Sequence, residues 1–267
     1  MLRRPLLLLL LAAAAPPAGP VPGKLHIIGG PAIGGCIAGA VRLPAQGVGF
    51  QTIHLGRSSF WGAPQTIARV QALAGEAHAA GLGDLYVEDI SRPRGGPLPG
   101  GHVSHQIGLD ADIGLDPSPK PPLTAETRET VELPSMVSAD QRGADPAHWS
   151  AGVVTLLHLA ATLPGVDRIL VNAAIKRQLC TQVQGDRAWL RLIRPWYDHA
   201  AHMHIRFRCP EGQPDCVQGP PPPAGDGCDA TLQWWFDQLD LPPKPSPPEH
   251  PPPPPAACAA VFAAPAD

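Results

Sequence analysis

Gly100-Gly101-His102-Val103-Ser104-His105-Gln106-Ile107-Gly108-Leu109-Asp110-Ala111-Asp112 and, much further along the chain, Asp198-His199-Ala200-Ala201-His202-Met203-His204 together hold five of the eleven histidines. Both stretches run into an alternating pattern. Leu109, Ala111 and Ile113 alternate with Asp110 and Asp112, and Met203, Ile205 and Phe207 alternate with His202, His204 and Arg206. A period of two is that of a strand with one face buried. Strands are therefore expected over 107–115 and 203–207, each with an apolar face for the core and a polar face carrying carboxylates or imidazoles.

Working outward, Ile67, Val70, Leu73, Ala74 and Ala77 recur at helical spacing after Pro64, which suits a first-turn position. This predicts a helix over 64–80, stopped by Gly81 and Gly83. Leu85-Tyr86-Val87 with Ile90 reads as a strand, and 92–101 as a glycine- and proline-rich loop. Asp145-Pro146 is a helix-start signal, followed by the apolar positions Val153, Val154, Leu157, Ala160 and Ala161. A short strand over 168–172, a helix over 173–179 and a last helix over 232–239 complete the pattern. Residues 19–40 read as an irregular lead-in. The fold class expected is α+β: one domain with a central antiparallel sheet, flanked by helices and long loops and stapled by disulfides.

The 267 residues suit one domain. Hydrophobic residues at 44% are enough for a core, and 36 prolines with 28 glycines call for loop-rich connections. The net charge of -3 lacks the positive excess of a nucleic-acid binder. Met1-Leu2-Arg3-Arg4-Pro5, a leucine run and then alanines to Ala15 form a secretory signal, expected to span 1–18; its apolar run is too short for a permanent membrane span. The domain proper is expected over 19–241. Beyond it, 242–267 is a proline-rich arm, extended through 242–255 and tethered by Cys258.

Six cysteines, Cys36, Cys180, Cys209, Cys216, Cys228 and Cys258, all lie beyond the signal, and an even number in an exported chain points to disulfides. Paired CxxC spacing for a metal is absent. Six cysteines allow about 15 pairings; only Cys209–Cys216, enclosing Pro210, Gly212 and Pro214, is suggested by local sequence.

A catalytic zinc takes about three nitrogen or oxygen ligands and keeps a position for water. His105, Asp112 and His204 supply such a set, and His202 beside them is placed to move a proton or stabilise an oxyanion. Asp110 is expected to orient a ligand histidine rather than bind the metal. Isolated histidines are ordinarily surface or core groups, and His26, His54, His78, His148, His158 and His250 are read so.

The spacing of His105 and Asp112, followed by His202-x-His204, resembles the zinc signature of lysostaphin-type endopeptidases, D-Ala-D-Ala metallopeptidases and hedgehog-type domains. The fuller string at 100–112 closely resembles the penicillin-insensitive murein endopeptidases, as do the stretches 171–180 and 196–206. That resemblance implies zinc bound by His105, Asp112 and His204, with His202 catalytic and His102 and His199 as nearby partners. It implies disulfides Cys36–Cys258, Cys180–Cys228 and Cys209–Cys216. The implied reaction is hydrolysis of the D-alanyl–diaminopimelate amide that cross-links peptidoglycan stems, in the periplasm. A second metal position is implied near Asp140, although Gly143 stands where a further ligand is expected.

Arg92, Arg94 and Arg206 either meet stem carboxylates or are solvated loop charges, the latter favoured for Arg94. Trp196 and Tyr197 are expected as a buried pair rather than as cleft lining. No serine is followed three residues later by lysine, and no GxSxG or HExxH occurs. An enzyme without an acylatable serine is indifferent to β-lactams. Two alternatives remain at this point: a D,D-carboxypeptidase, or a wall-binding module that keeps the metal but not the activity.

Overall fold

The computed structural model describes residues 19–99, 102–241 and 251–265; the export segment expected at 1–18 and the proline run at 242–250 lie outside them. In chain order the strands are β1 (His26–Gly30), β2 (Gly34–Ala38), β3 (Val41–Arg42), β4 (Gln46–Gly47), β5 (Phe50–Thr52), β6 (Trp61–Gly62), β7 (Leu85–Val87), β8 (Asp110–Gly114), β9 (Val166–Val171), β10 (Ile193–Pro195) and β11 (His202–Phe207). The helices are α1 (Pro64–Ala79), α2 (Ala125–Thr130), α3 (Ala151–Thr162), α4 (Ala173–Gln182), α5 (Ala230–Leu239) and α6 (Cys258–Ala263).

The two alternating stretches sit side by side at the middle of the main sheet, whose order is β10-β9-β11-β8-β7-β5-β4. Pairing is mainly antiparallel, with β10–β9 and β5–β7 parallel. The register of β11 on β8 sets His204 opposite Asp112, Arg206 opposite Asp110 and Met203 opposite Ile113. Because side chains alternate faces, this register sends every polar partner to one side and every apolar partner to the other. The apolar side, Ala111, Ile113, Met203, Ile205 and Phe207, joins Leu73 of α1, Leu156 and Leu157 of α3, Ile175 of α4 and Phe236 of α5 in the principal core. Each such large side chain stabilises the fold by roughly 1.5–3 kcal/mol on burial.

The helix at 64 is as expected. Pro64 occupies its first turn, and Ile67, Val70, Leu73, Ala74 and Ala77 form its buried stripe. The helix expected from Asp145 begins later, at Ala151. Asp145 instead closes a turn, its Oδ1 accepting from Ala147 N–H at 2.9 Å and its carbonyl from Trp149 N–H at 2.8 Å, and the side-chain turn competes with helix there.

The lead-in at 19–40 is not irregular: β1 and β2 form an antiparallel hairpin. Its signal is hidden because glycine occupies positions where backbones touch. A Cβ on Gly35 would lie 2.2 Å from Ile28 O and 2.4 Å from Ile107 Cγ2. Ile27 and Ile37 of the hairpin pack on Ile107 and Leu109, bracing the segment that leads into β8.

All three disulfides have the expected pairs, Cys36–Cys258, Cys180–Cys228 and Cys209–Cys216. The first holds α6 against the body, where Cys258 and Val261 pack with Ile28 and Cys36. Arg94 is not a solvated loop charge. It is buried, and its Nη1 donates to the carbonyls of Val261 (2.9 Å), Phe262 (3.1 Å) and Ala264 (2.6 Å). A guanidinium at the free carbonyls of a helix C-terminus satisfies acceptors that no backbone N–H can reach.

Candidate metal centre and active site

The polar side of the β8–β11 pair assembles the cluster. Asp110, Asp112, His105 and His204 are all buried. His105 adopts a left-handed backbone (φ 64°), a conformation uncommon outside glycine. Its N–H donates to Asp110 Oδ2 (3.3 Å) and its Nδ1 to the carbonyl of Ile90 (3.0 Å). A carbonyl only accepts, so Nδ1 carries the ring proton and the neutral ring has a bare Nε2. That Nε2 lies 3.1 Å from Asp112 Oδ2.

His204 repeats the logic with its nitrogens exchanged. Nε2–H donates to Asp110 Oδ1 at 2.9 Å, leaving Nδ1 bare, 2.9 Å from Asp112 Oδ1. Two imidazole lone pairs thus converge on the two oxygens of one carboxylate, with no donor between them. Among the described residues, His105 Nε2 and Asp112 Oδ1 are buried without a hydrogen-bond partner. Acceptors facing acceptors at this range need a proton or a metal ion between them, and two imidazoles with a carboxylate suit a divalent metal ion. In the free protein a proton takes that part: burial works to lower the His105 pKa, but the Asp112 carboxylate more than offsets it and raises it to about 9.

The Asp112 carboxyl is held well below the usual range. Burial pushes it up, and His105, His202 and His204 outweigh that. Asp110 is likewise held low, by Arg206 and His204 against its own burial. The Arg206 guanidinium donates through Nε to Asp110 Oδ1 at 2.8 Å. The carboxylate that its Nε meets is the chain's own. Asp110 thus contacts both His204 and the His105 backbone.

His102 stands at the edge. Among the described residues, His102, His105 and Asp112 each offer a ligand atom within 4.8 Å of the others. His102 Nε2 is 3.6 Å from Asp89 Oδ2, and burial, then His105, lowers its pKa. His202 is a quarter exposed and outside hydrogen-bond range of its neighbours, with Nε2 3.9 Å from Asp112 Oδ2 and Nδ1 3.9 Å from Glu88 Oε2. His199 packs 5.0 Å from His202 and 5.8 Å from His204, centroid to centroid. Its Nδ1–H donates to Tyr197 O (2.6 Å), and burial followed by His204 lowers its pKa to about 4.

Asp198 and His199 both have left-handed backbones (φ 57° and 46°). Asn172 holds that turn, donating Nδ2–H to Asp198 O (3.1 Å) and its backbone N–H to His199 O (2.9 Å), while its Oδ1 caps α4. Asp140 lies on a neighbouring loop, its Oδ1 accepting from Ser138 Oγ (2.7 Å) and Arg142 N–H (2.9 Å), and is not part of the cluster.

A cleft of about 300 Å³ opens over the cluster, lined by His54, Arg57, Glu88, Asp89, His102, Asp112, Val131, Glu132, Leu133, Ala201 and His202. A second lobe of about 490 Å³ shares Arg57 and His102 and adds Gly56, Arg92, Leu98 and Pro99. Sequence reasoning missed Arg57, Glu88, Asp89 and Glu132, and it set His54 aside as an isolated histidine. The signal for two of them was the acidic pair Glu88-Asp89 closing the apolar run 85–87. Burial, then Asp112 and Asp89, raises the Glu88 pKa to about 7. Trp196 and Tyr197 are not a buried pair. Both are exposed by about half and cluster with Trp235, beside Trp234.

Residues 27–263 match the sequence model of a family described as penicillin-insensitive murein endopeptidase. The chain belongs to that family. Curated relatives of that name from Salmonella arizonae, Salmonella heidelberg and Salmonella newport are each 43% identical over 226 residues, 85% of this chain and 80% of theirs. The family membership makes this chain a metallo-endopeptidase, and His102, His105 and Asp112 form a group that could hold a metal ion. Among the described residues, no helix is long and apolar enough to cross a membrane.

Proposed function

We infer that this chain is a zinc-dependent endopeptidase that hydrolyses the D-alanyl–diaminopimelate cross-links of peptidoglycan in the periplasm. The observation that carries the reading is the pair of imidazole lone pairs facing the two oxygens of Asp112 beneath an open cleft. In this reading His105, Asp112 and His204 hold the ion, with His102 at its edge. Imidazole and carboxylate ligands together suit zinc. Asp140, whose Oδ1 accepts from Ser138 and Arg142, is the candidate for a second ion, with Gly143 where a further ligand is expected. When bound, the ion supplies Lewis acidity toward the scissile carbonyl and lowers the pKa of water. The chain's own residues do the rest. His202, held by no strong bond, takes the proton of the attacking water and returns one to the leaving amine. His199, neutral at neutral pH, adds no charge that would repel the imidazolium formed at His202. Three disulfides fit an oxidising compartment.

The test is metal analysis of the purified protein together with digestion of isolated sacculi. One equivalent of zinc, loss of activity on chelation, and conversion of cross-linked dimers to monomers are expected. His202→Ala should keep the metal and lose hydrolysis, whereas Asp112→Ala should lose both. Trimming of pentapeptide monomers with dimers left intact would make it a D,D-carboxypeptidase. Zinc binding with no hydrolysis of either substrate would make it a binding module.

A further inference from the structure

Glu88 follows β7, and its backbone N–H donates to Asp112 O at 2.9 Å, which ties its position to β8. Its mostly buried carboxylate turns one oxygen to each of two histidines. Oε2 is 3.9 Å from His202 Nδ1 and Oε1 is 3.4 Å from His54 Nε2. His54 is itself anchored, with Nδ1 3.1 Å from Glu129 O and a left-handed backbone. On the opposite side of His202, Nε2 faces Asp112 Oδ2 at 3.9 Å. The ring therefore stands between two carboxylates with one nitrogen toward each. Asp112 is already engaged by His105 and His204, whereas among the described residues the Glu88 oxygen facing His202 has no closer partner of its own.

We propose that Glu88 is the positioning residue for His202. It accepts from Nδ1–H, so that the bare Nε2 faces the metal cluster and the reacting atoms, and it stabilises the imidazolium formed when Nε2 takes a proton. A neutral imidazole carries one proton, and fixing it on Nδ1 leaves Nε2 as the base. Catalytic contacts of this kind are often long in the free enzyme and tighten around substrate. The proposal rests on the reading of His202 as the proton-handling group.

The experiment compares zinc-loaded wild type, Glu88→Ala and Glu88→Gln by nitrogen NMR of the imidazoles and by steady-state kinetics on cross-linked muropeptides. Wild-type His202 is expected to be protonated on Nδ1. Glu88→Ala should move that proton to Nε2, whereas Glu88→Gln, which can still accept, should keep it on Nδ1. Both variants should retain zinc and KM within about twofold while kcat falls by about 10–100-fold, and formate should restore part of kcat in Glu88→Ala. A wild-type His202 protonated on Nε2, the same tautomer in wild type and Glu88→Ala, or an unchanged kcat in both variants would overturn the proposal. A Glu88-dependent tautomer in a protein that cleaves no muropeptide would leave Glu88 positioning His202 and remove the endopeptidase reading instead.

Discussion

Asp110→Asn keeps the shape of a buried side chain and deletes its charge. In the wild type Asp110 Oδ1 accepts from His204 Nε2–H at 2.9 Å and Arg206 Nε–H at 2.8 Å, and Oδ2 accepts from His105 N–H at 3.3 Å. An asparagine offers one oxygen for these three donors and turns its own N–H toward one of them. Removing one partner of a buried ion pair costs about 3–5 kcal/mol. Arg206 keeps some access to water, so the expected loss sits at the low end, about 3 kcal/mol at pH 7, or a fall of about 6–12 °C in Tm for a chain of this size.

Metal affinity should drop about 10–100-fold as well, because His204 no longer has Nε2–H fixed and Nδ1 bare. The pH dependence follows from the depressed Asp110 pKa. A carboxyl lowered on folding stabilises above its unfolded pKa of ~3.9, and that contribution fades as pH falls toward the folded value. The gap between wild type and variant should therefore close in acid. Urea unfolding of chelator-stripped protein, followed by tryptophan fluorescence, and competitive zinc titration measure the two effects. Stability within about 0.5 kcal/mol of wild type would refute the account of the buried ion pair. A loss of stability with unchanged zinc affinity would show that Asp110 serves Arg206 alone.

Four further outcomes are expected. With its pKa raised to about 9 in the free protein, His105 must shed a proton to bind metal; calorimetry near pH 7.5 in buffers of different ionisation enthalpy should report release of about one proton per ion, vanishing above pH 9, and buffer-independent heats would contradict this. The same raised pKa stabilises the stripped protein below pH ~6.5, and that contribution disappears as pH rises through about 9. Gly108→Ala puts a Cβ 2.8 Å from Ile37 Cδ1 at a residue with φ +69°, so a loss of about 2–4 kcal/mol is expected in urea, and wild-type stability would disprove the contact. Replacing Cys36 and Cys258 together by serine should cost about 2–5 kcal/mol and open the C-terminus to carboxypeptidase trimming; resistance equal to wild type would mean that Arg94 and the packing of Val261 suffice.

The strands that build the site were legible because each carries a strict two-residue alternation, and α1 was legible because its apolar residues recur every three or four positions. Both patterns arise from local backbone geometry, which the neighbours in sequence express directly. The hairpin β1–β2 was not legible. Its information lies in how closely glycine lets backbones approach, as at Gly35, and composition shows such residues only as loop formers. Arg94 failed for a related reason: whether a guanidinium is solvated depends on which acceptors the fold brings to it, and those come from α6.

Residue chemistry and periodicity by themselves determined the strands and the even cysteine count, and offered His105, Asp112 and His204 as candidate donors. Only the tertiary structure decided the rest. Strand register turned donors far apart in the chain into lone pairs aimed at one carboxylate. Packing at the end of β7 brought Glu88 and His54 to the same cleft, a meeting that no local pattern records. Periodicity records which face a side chain takes, whereas the partner it meets there is set by segments that share no local sequence with it.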